Sequence, residues 1–134
     1  PTTQRDRLVD WGFTGAVERQ FEIPSSSGEP AGMTLLAVLV VEFRSPEGAR
    51  AAVEAGHADA KAAEDVDISD VVIDPLGDYT AAASGSVTIE GESMRVAYVL
   101  IQIGRRAITF AGGSPAEDPL AAIVDIAGRT VGRW

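Results

Sequence analysis

Two aspartates flank a sharp bend in the segment IDPLGDYTAAAS, residues 73–84. Asp74 and Asp78 stand on either side of Pro-Leu-Gly, so a bend there could bring two carboxylates together. Paired acids held about 5–9 Å apart in a cleft can hydrolyse glycosidic bonds. The same residue type also closes Asx-type turns, in which the carboxylate accepts hydrogen bonds from nearby amides. The spacing favours a structural corner and leaves a carboxylate-dependent hydrolase or isomerase as the alternative, with Tyr98 or Arg95 as the helper residue.

Nucleophilic catalysis has little support in the sequence. The only histidine, His57, lies in EAGHADA, and the G-x-S-x-G motif of serine hydrolases is absent. Ser84 and Ser86 read as exposed strand positions, and nothing places a serine beside the imidazole. We therefore expect His57 to be a solvent-facing helix residue. The absence of cysteine excludes a thiolate nucleophile, a disulfide framework and a Cys-based metal site.

A run of acids in EDVDISDVVIDPLGD superficially suggests calcium. An EF-hand loop that starts at Asp65 would require glycine where Asp70 stands and a bidentate glutamate where Leu76 stands. Zinc needs more nitrogen or sulfur ligands than one histidine supplies. No glycine-rich phosphate loop is present. We predict no metal and no cofactor, and interpret the acids as a solvated strand edge that discourages aggregation.

Length and charge restrict the class of protein. The 134 residues match one domain, residues 1–134, and the formal net charge is −9 with a pI near 4.4. A negative surface repels phosphate backbones, which makes nucleic acid a poor partner. The longest apolar run, MTLLAVLVV at residues 33–41, is too short for a membrane span.

The elements that must position these residues follow from hydrophobic periodicity and turn signals. Ser45 and Ser114 are the expected helix caps, and Gly85 is expected to mark a β-bulge. The pattern predicts helices over residues 2–11, 45–64 and 116–131, with a loop over 24–32. It predicts strands over residues 16–23, 33–43, 78–89, 94–103 and 107–112, and a strand or an extended connector over 66–73.

Two strands, near residues 35–41 and 96–103, are apolar at both odd and even positions. Such strands are buried on both faces, so we expect them side by side at the centre of a sheet that is covered on two sides. Short hairpin connections force antiparallel neighbours. The predicted fold is therefore α+β: a single antiparallel sheet of five or six strands, packed by two main helices and a short N-terminal helix.

Large aromatic side chains are few, because aromatic residues make up only 6% of the chain. Trp11, Tyr79 and Tyr98 are candidates to line a groove for an apolar ligand or a protein partner. Filling the core is the alternative role for them. Strands that are apolar on both faces would also allow a second subunit to cover the sheet, so a homodimer is a further expectation.

Four motifs, VVEFRSPEGARAAVEA, DPLGDYTAAAS, VAYVLIQIGRRAITFAGG and the terminal GRTVGRW, together resemble a group of bacterial envelope domains that are secreted or anchored as lipoproteins. The resemblance covers roughly residues 41–133. It implies a binding or sensing module outside the membrane and supplies no catalytic residues. It also implies that a signal peptide or lipoprotein leader preceded Pro1.

Three functional hypotheses follow. The first is a non-enzymatic module of the cell envelope that binds a small apolar ligand, a peptide or a protein. The second is the small carboxylate enzyme built on Asp74 and Asp78. The third is a cytoplasmic structural subunit whose role is dimerisation. The lack of a convincing catalytic set and the resemblance favour the first.

Overall fold

The computed structural model describes residues 11–22, 35–63, 66–115 and 118–131. The predicted N-terminal helix, apart from Trp11, and the predicted loop at residues 24–32 lie outside these ranges. The strands are β1 (Phe13–Glu22), β2 (Leu35–Phe43), β3 (Val66–Asp70), β4 (Tyr79–Ile89), β5 (Glu92–Ile103) and β6 (Arg106–Ser114). The helices are α1 (Pro46–Ala62) and α2 (Leu120–Val131).

The six strands form one antiparallel sheet in the order β1-β2-β6-β5-β4-β3. This confirms the predicted α+β class, and the described residues contain six strands and two helices. The expectation that the two apolar strands are neighbours is wrong, because β6 lies between β2 and β5. Both strands are nevertheless internal. The β5-β6 hairpin places β6 antiparallel beside β5. The other edge of β6 pairs with β2 through Val41↔Ala107 and Leu39↔Thr109.

In the part of the chain that the structure describes, one helix packs on each face of the sheet. The α1 face carries Phe43, Ala81, Leu100 and Ala107, which pack against Ala49 and Val53 of α1. The α2 face carries an inner set packed against Ile123 and Ala127 of α2, namely Ala82, Ala97, Val99, Ile101, Ile108 and Phe110. Alternate residues of β5 therefore enter opposite cores, as apolar residues at both parities require.

Helix α1 begins where the sequence signals predict. The Ser45 side chain accepts a hydrogen bond from Gly48 N at 3.1 Å, and Pro46 occupies the first turn. Ala49 and Val53 are buried while Glu47, Arg50 and Glu54 are exposed. The small buried residues let the helix lie close to the sheet.

Helix α2 begins later than predicted. The side chain of Asp118 accepts a hydrogen bond from Leu120 N at 3.0 Å, so this aspartate caps the helix. The predicted cap, Ser114, is instead the buried last residue of β6. Strand β3 ends at Asp70, and the next residues run extended to the corner at Gly77, so the segment 66–73 is part strand and part extended connector.

Gly85 does not mark a bulge. The register runs continuously from Ser84↔Ala97 to Ser86↔Arg95 on one side and past Ile68↔Gly85 on the other. A Cβ at Gly85 would lie 2.0 Å from Asp67 O. The glycine is therefore required by the close approach of β3.

Two glycines of α1 allow a matched test of helix packing. A Cβ at Gly48 would lie 2.0 Å from Trp11 O, whereas a Cβ at Gly56 would meet only Leu100 Cδ1, at 3.8 Å. We expect Gly48→Ala to lower the free energy of unfolding by more than about 1 kcal/mol, because backbone must move. Gly56→Ala should raise it by roughly 0.5–1 kcal/mol through helix propensity. Urea denaturation measures both, and equal effects would contradict this packing.

Candidate functional site

Helix α1 divides its face of the sheet into two regions with different chemistry. Towards β2 and β6 an open groove separates the helix from the strands. Towards β4 and β3 the helix carries polar side chains that contact the sheet. We call these regions the α1 groove and the polar flank. Their lining residues come from α1 itself and from alternate positions of the strands beneath it.

The α1 groove is mainly apolar and has a volume of about 170 Å³. Trp11 stands at its edge, where its ring packs against Phe43 with the centroids 6.4 Å apart. A hydrogen bond from Arg44 N to Gly12 O, 2.8 Å long, holds this part of the chain beside the start of α1. The lining residues are Trp11, Leu39, Val41, Phe43, Ala52, Val53, Gly56, Asp59, Leu100, Ala107 and Thr109.

The polar flank contains a row of hydrogen bonds that sequence analysis missed. The Nδ1 atom of His57 lies 2.6 Å from the Tyr98 hydroxyl, and its Nε2 lies 2.9 Å from Asp70 Oδ1. Lys61 Nζ lies 2.9 Å from the same carboxylate oxygen. The expectation of a solvent-facing histidine is wrong, because the His57 side chain is only 16% exposed. The row joins α1 to the central strand β5 and the edge strand β3.

The surroundings of this row lower the pKa of one acid and raise the pKa of another. The hydrogen bond from Lys61 lowers the pKa of Asp70, and the charges of Lys61 and His57 also act in this direction against partial desolvation. Burial, together with the negative charge of Asp70, raises the pKa of Tyr98 to about 12. The phenol therefore remains protonated at neutral pH. Its hydroxyl donates to the backbone carbonyl of His57 at 3.4 Å and lies within hydrogen-bond distance of His57 Nδ1.

A hydroxyl, an imidazole and a carboxylate in series also occur where a base activates a nucleophile. Here the hydroxyl belongs to a phenol, and its raised pKa opposes formation of the phenolate. The geometry supports a different role, in which the row clamps α1 to β5 and β3. This polar clamp, Tyr98–His57–Asp70–Lys61, holds in place the helix that forms one wall of the α1 groove.

The structure separates the three predicted aromatic candidates. All three pack on the α1 face, but only Trp11 lines the groove. Tyr98 belongs to the polar clamp. Tyr79 lies under the guanidinium of Arg50, 4.5 Å from the ring centroid, and Arg50 also pairs with Glu54 at 2.9 Å.

The residues of the enzymatic alternative lie in different surroundings. Asp78 Oδ2 accepts a hydrogen bond from Gly104 N at 2.8 Å, so it braces the β5-β6 turn rather than its own turn. Asp74 is exposed, and Arg95 and Tyr98 lie on opposite faces of β5. The corner itself is closed by Thr80, whose hydroxyl bonds to both Leu76 N and Leu76 O. This arrangement supports the structural interpretation of the corner.

The described residues contain neither a metal-binding cluster nor a membrane-spanning helix. Among them, no group of three or more His, Asp and Glu side chains is placed to hold a metal ion. Within the same part of the chain, neither helix has the length and apolar character to cross a membrane.

One sequence signal could have revealed the polar flank. Arg50, Glu54, His57 and Lys61 recur at helical spacing, so they form one stripe of α1. What the sequence lacks is the strand register that brings Asp70 and Tyr98 under this stripe.

Replacing Asp70 tests the polar clamp through its pH dependence. The pKa of Asp70 is lower in the folded protein than its ordinary value of 3.8. Its contribution to stability is therefore fully present above pH 3.8 and is lost as the pH falls below it. Asp70→Asn should melt at a lower temperature than the native protein at pH 7. This difference in melting temperature, the gap, should become smaller in acid. Asp74→Asn, at an exposed site, is the control; a gap that is constant with pH would contradict the assignment.

Comparisons with known proteins show the fold and no family. No family model and no curated protein matches the chain. One similar solved structure is the extracellular domain of PknH from Mycobacterium tuberculosis, at 12% identity and a TM-score of 0.61, covering 100% of this chain and 72% of that one. Another is PA94 from Pseudomonas aeruginosa, a protein of unknown function suggested to be a regulator, at 14% identity and a TM-score of 0.51, covering 87% and 81%. The chain therefore shares its fold with an extracellular domain of a mycobacterial protein.

Proposed function

We propose that the protein is a non-enzymatic binding module of the cell envelope or extracellular space, and that the α1 groove binds the apolar part of a small ligand. The observation that carries this proposal is the groove itself, an open and mainly apolar concavity between a helix and a sheet. Ligand sites are typically concave and apolar with a few polar groups. Here Asp59 and Thr109 supply such groups.

The size of the groove limits the ligand. A volume of about 170 Å³ is close to that of a cavity that accepts one benzene ring. An aromatic ring or a branched alkyl group therefore fits, and the rest of a larger molecule would remain outside. Burying about 150 Å² of such a group would yield roughly 4 kcal/mol, which corresponds to a dissociation constant near 1 mM for the ring alone.

Electrostatics favours a ligand that is neutral or positively charged. The formal net charge of −9 raises the local concentration of cations and repels anions. Asp59 adds a carboxylate to the lining. We therefore infer an apolar group linked to a neutral or cationic remainder.

The envelope location is supported by two independent likenesses. The motifs of the chain resemble secreted and lipoprotein-anchored bacterial domains. The fold is similar to that of a domain described as extracellular. The homodimer remains a prediction. The argument that a second subunit covers the apolar sheet is weaker, because helices of the same chain pack on both faces of the sheet.

A titration with toluene tests the proposed groove. In a Trp134→Phe background Trp11 is the only tryptophan, since the chain has two. Toluene should change the emission of Trp11 and, at a concentration equal to its dissociation constant, raise the melting temperature by about 1–2 degrees. Fluorescence and thermal melting measure these effects.

Two phenylalanine variants of α1 locate the binding. Ala52 lines the groove, whereas Ala58 is exposed on the same helix. Ala52→Phe should fill the groove and abolish the response to toluene, and Ala58→Phe should preserve it. Toluene binding that survives in Ala52→Phe, or no response in the parent protein, would refute the groove as the ligand site.

A further inference from the structure

The opposite face of the sheet has a second concavity, and its chemistry differs from that of the α1 groove. Helix α2 packs chiefly on β5 and β6. Beside it, over β3, β4 and the start of β5, lies a polar hollow of about 470 Å³. This volume falls within the usual range of small-molecule sites. Its lining residues are Asp67, Ser69, Ser84, Gly85, Ser86, Ser93, Arg95 and Asp118.

Short hydroxyl side chains form the floor of this polar hollow. Ser84 and Ser86 are half-buried, which corrects the expectation that they are exposed. Ser84 stands opposite Ser69 in the register of β3 and β4. Serine is not among the residues enriched in strands, yet four serines line this hollow. Their side chains are short, so the hollow is not filled, and their hydroxyls can donate and accept hydrogen bonds.

Opposite charges stand at the two sides of the floor. The register pairs Asp67 with Ser86 and Ser86 with Arg95, so the three residues form one row across three strands. Two strand spacings separate Asp67 from Arg95 by about 10 Å. They form no ion pair with each other, and the ion pairs among the described residues all lie elsewhere. Asp118, at the cap of α2, adds a second carboxylate to the rim.

We propose that the polar hollow binds a small zwitterion, with the ligand's carboxylate on Arg95 and its ammonium on Asp67. A guanidinium recognises a carboxylate through two parallel hydrogen bonds. Ser86 lies between the two charges and can bond to the polar middle of the ligand. The span of about 10 Å between the two strand positions, less the length of two hydrogen bonds, suits an amino acid or a dipeptide.

The composition of the hollow disfavours two other ligand classes. A phosphate dianion would meet two carboxylates, Asp67 and Asp118, for one guanidinium. A sugar ring usually needs an aromatic platform, and no aromatic side chain lines the hollow among the described residues. The inference does not depend on the α1 groove, since the two sites have no described lining residue in common.

Alanyl-alanine and its capped forms provide the test. NMR chemical shifts of the whole chain are followed against the dipeptide, its N-acetyl form, its C-terminal amide and free alanine. We expect the zwitterionic dipeptide or alanine to bind with a millimolar dissociation constant and each capped dipeptide to bind at least about tenfold more weakly, because one charge-assisted contact is lost. The comparison of alanine with the dipeptide identifies the preferred length.

Substitutions assign each end of the ligand. Arg95→Gln should raise the dissociation constant of the zwitterion about tenfold or more, and should remove the preference for the zwitterion over the C-terminal amide. Asp67→Asn should remove the discrimination against the acetylated form. Arg105→Gln, the same charge change at the exposed β5-β6 turn, is the control and should change nothing. The proposal fails if neither zwitterion binds at about 10 mM, if capped and uncapped forms bind equally, or if Arg95→Gln has no more effect than the control.

Discussion

The burial of β5 on both faces is the constraint on which the rest of the structure depends. Val99 and Ile101 are fully buried on one side, and Leu100 is buried on the other. A strand of this kind cannot lie at an edge or on a sheet with one face open to water. The chain meets the constraint by placing α1 on one face and α2 on the other. Because each helix is narrower than the sheet, each face keeps a strip that neither of these two helices covers.

The two uncovered strips differ because the helices differ. Helix α1 has small residues towards the sheet, including Ala49, Ala52 and Gly56, so little side-chain volume fills the space on its β2 and β6 side. On its other side the polar clamp fixes the helix to β5 and β3. Helix α2 carries larger aliphatic residues and fills the space over Phe110 and Ile108. Its neighbouring strip, over β3 and β4, has serines in place of an apolar floor.

Sequence patterns could predict the class of the fold but not the pairing of its strands. Apolar residues at both parities of β2 and β5 were sufficient to predict internal strands and a sheet covered on two sides. The same pattern could not show that β6 separates them, because pairing depends on which edges meet when the hairpins fold. Ser45 and Pro46 fixed the start of α1, since capping is a local interaction.

The candidate sites were less predictable because they are made of contacts between distant parts of the chain. His57 is isolated among alanines and acids in the sequence, and its partners Asp70 and Tyr98 come from two different strands. The row Asp67, Ser86 and Arg95 likewise exists only through strand register. Trp11 could be named as a candidate because large aromatic residues are rare in this chain. The sequence could not show that Trp11 lines the α1 groove while Tyr79 lies outside it, because tertiary packing decides this.

The β2-β6 pairing also has a consequence for how the chain acquires its structure. Leu39 and Thr109 are paired although about 70 residues separate them. Closing a loop of that length costs roughly 4 kcal/mol of chain entropy before the contacts formed can offset it. A high contact order of this kind is associated with slow folding. During synthesis, β2 must wait until β6 has emerged before its second neighbour is available.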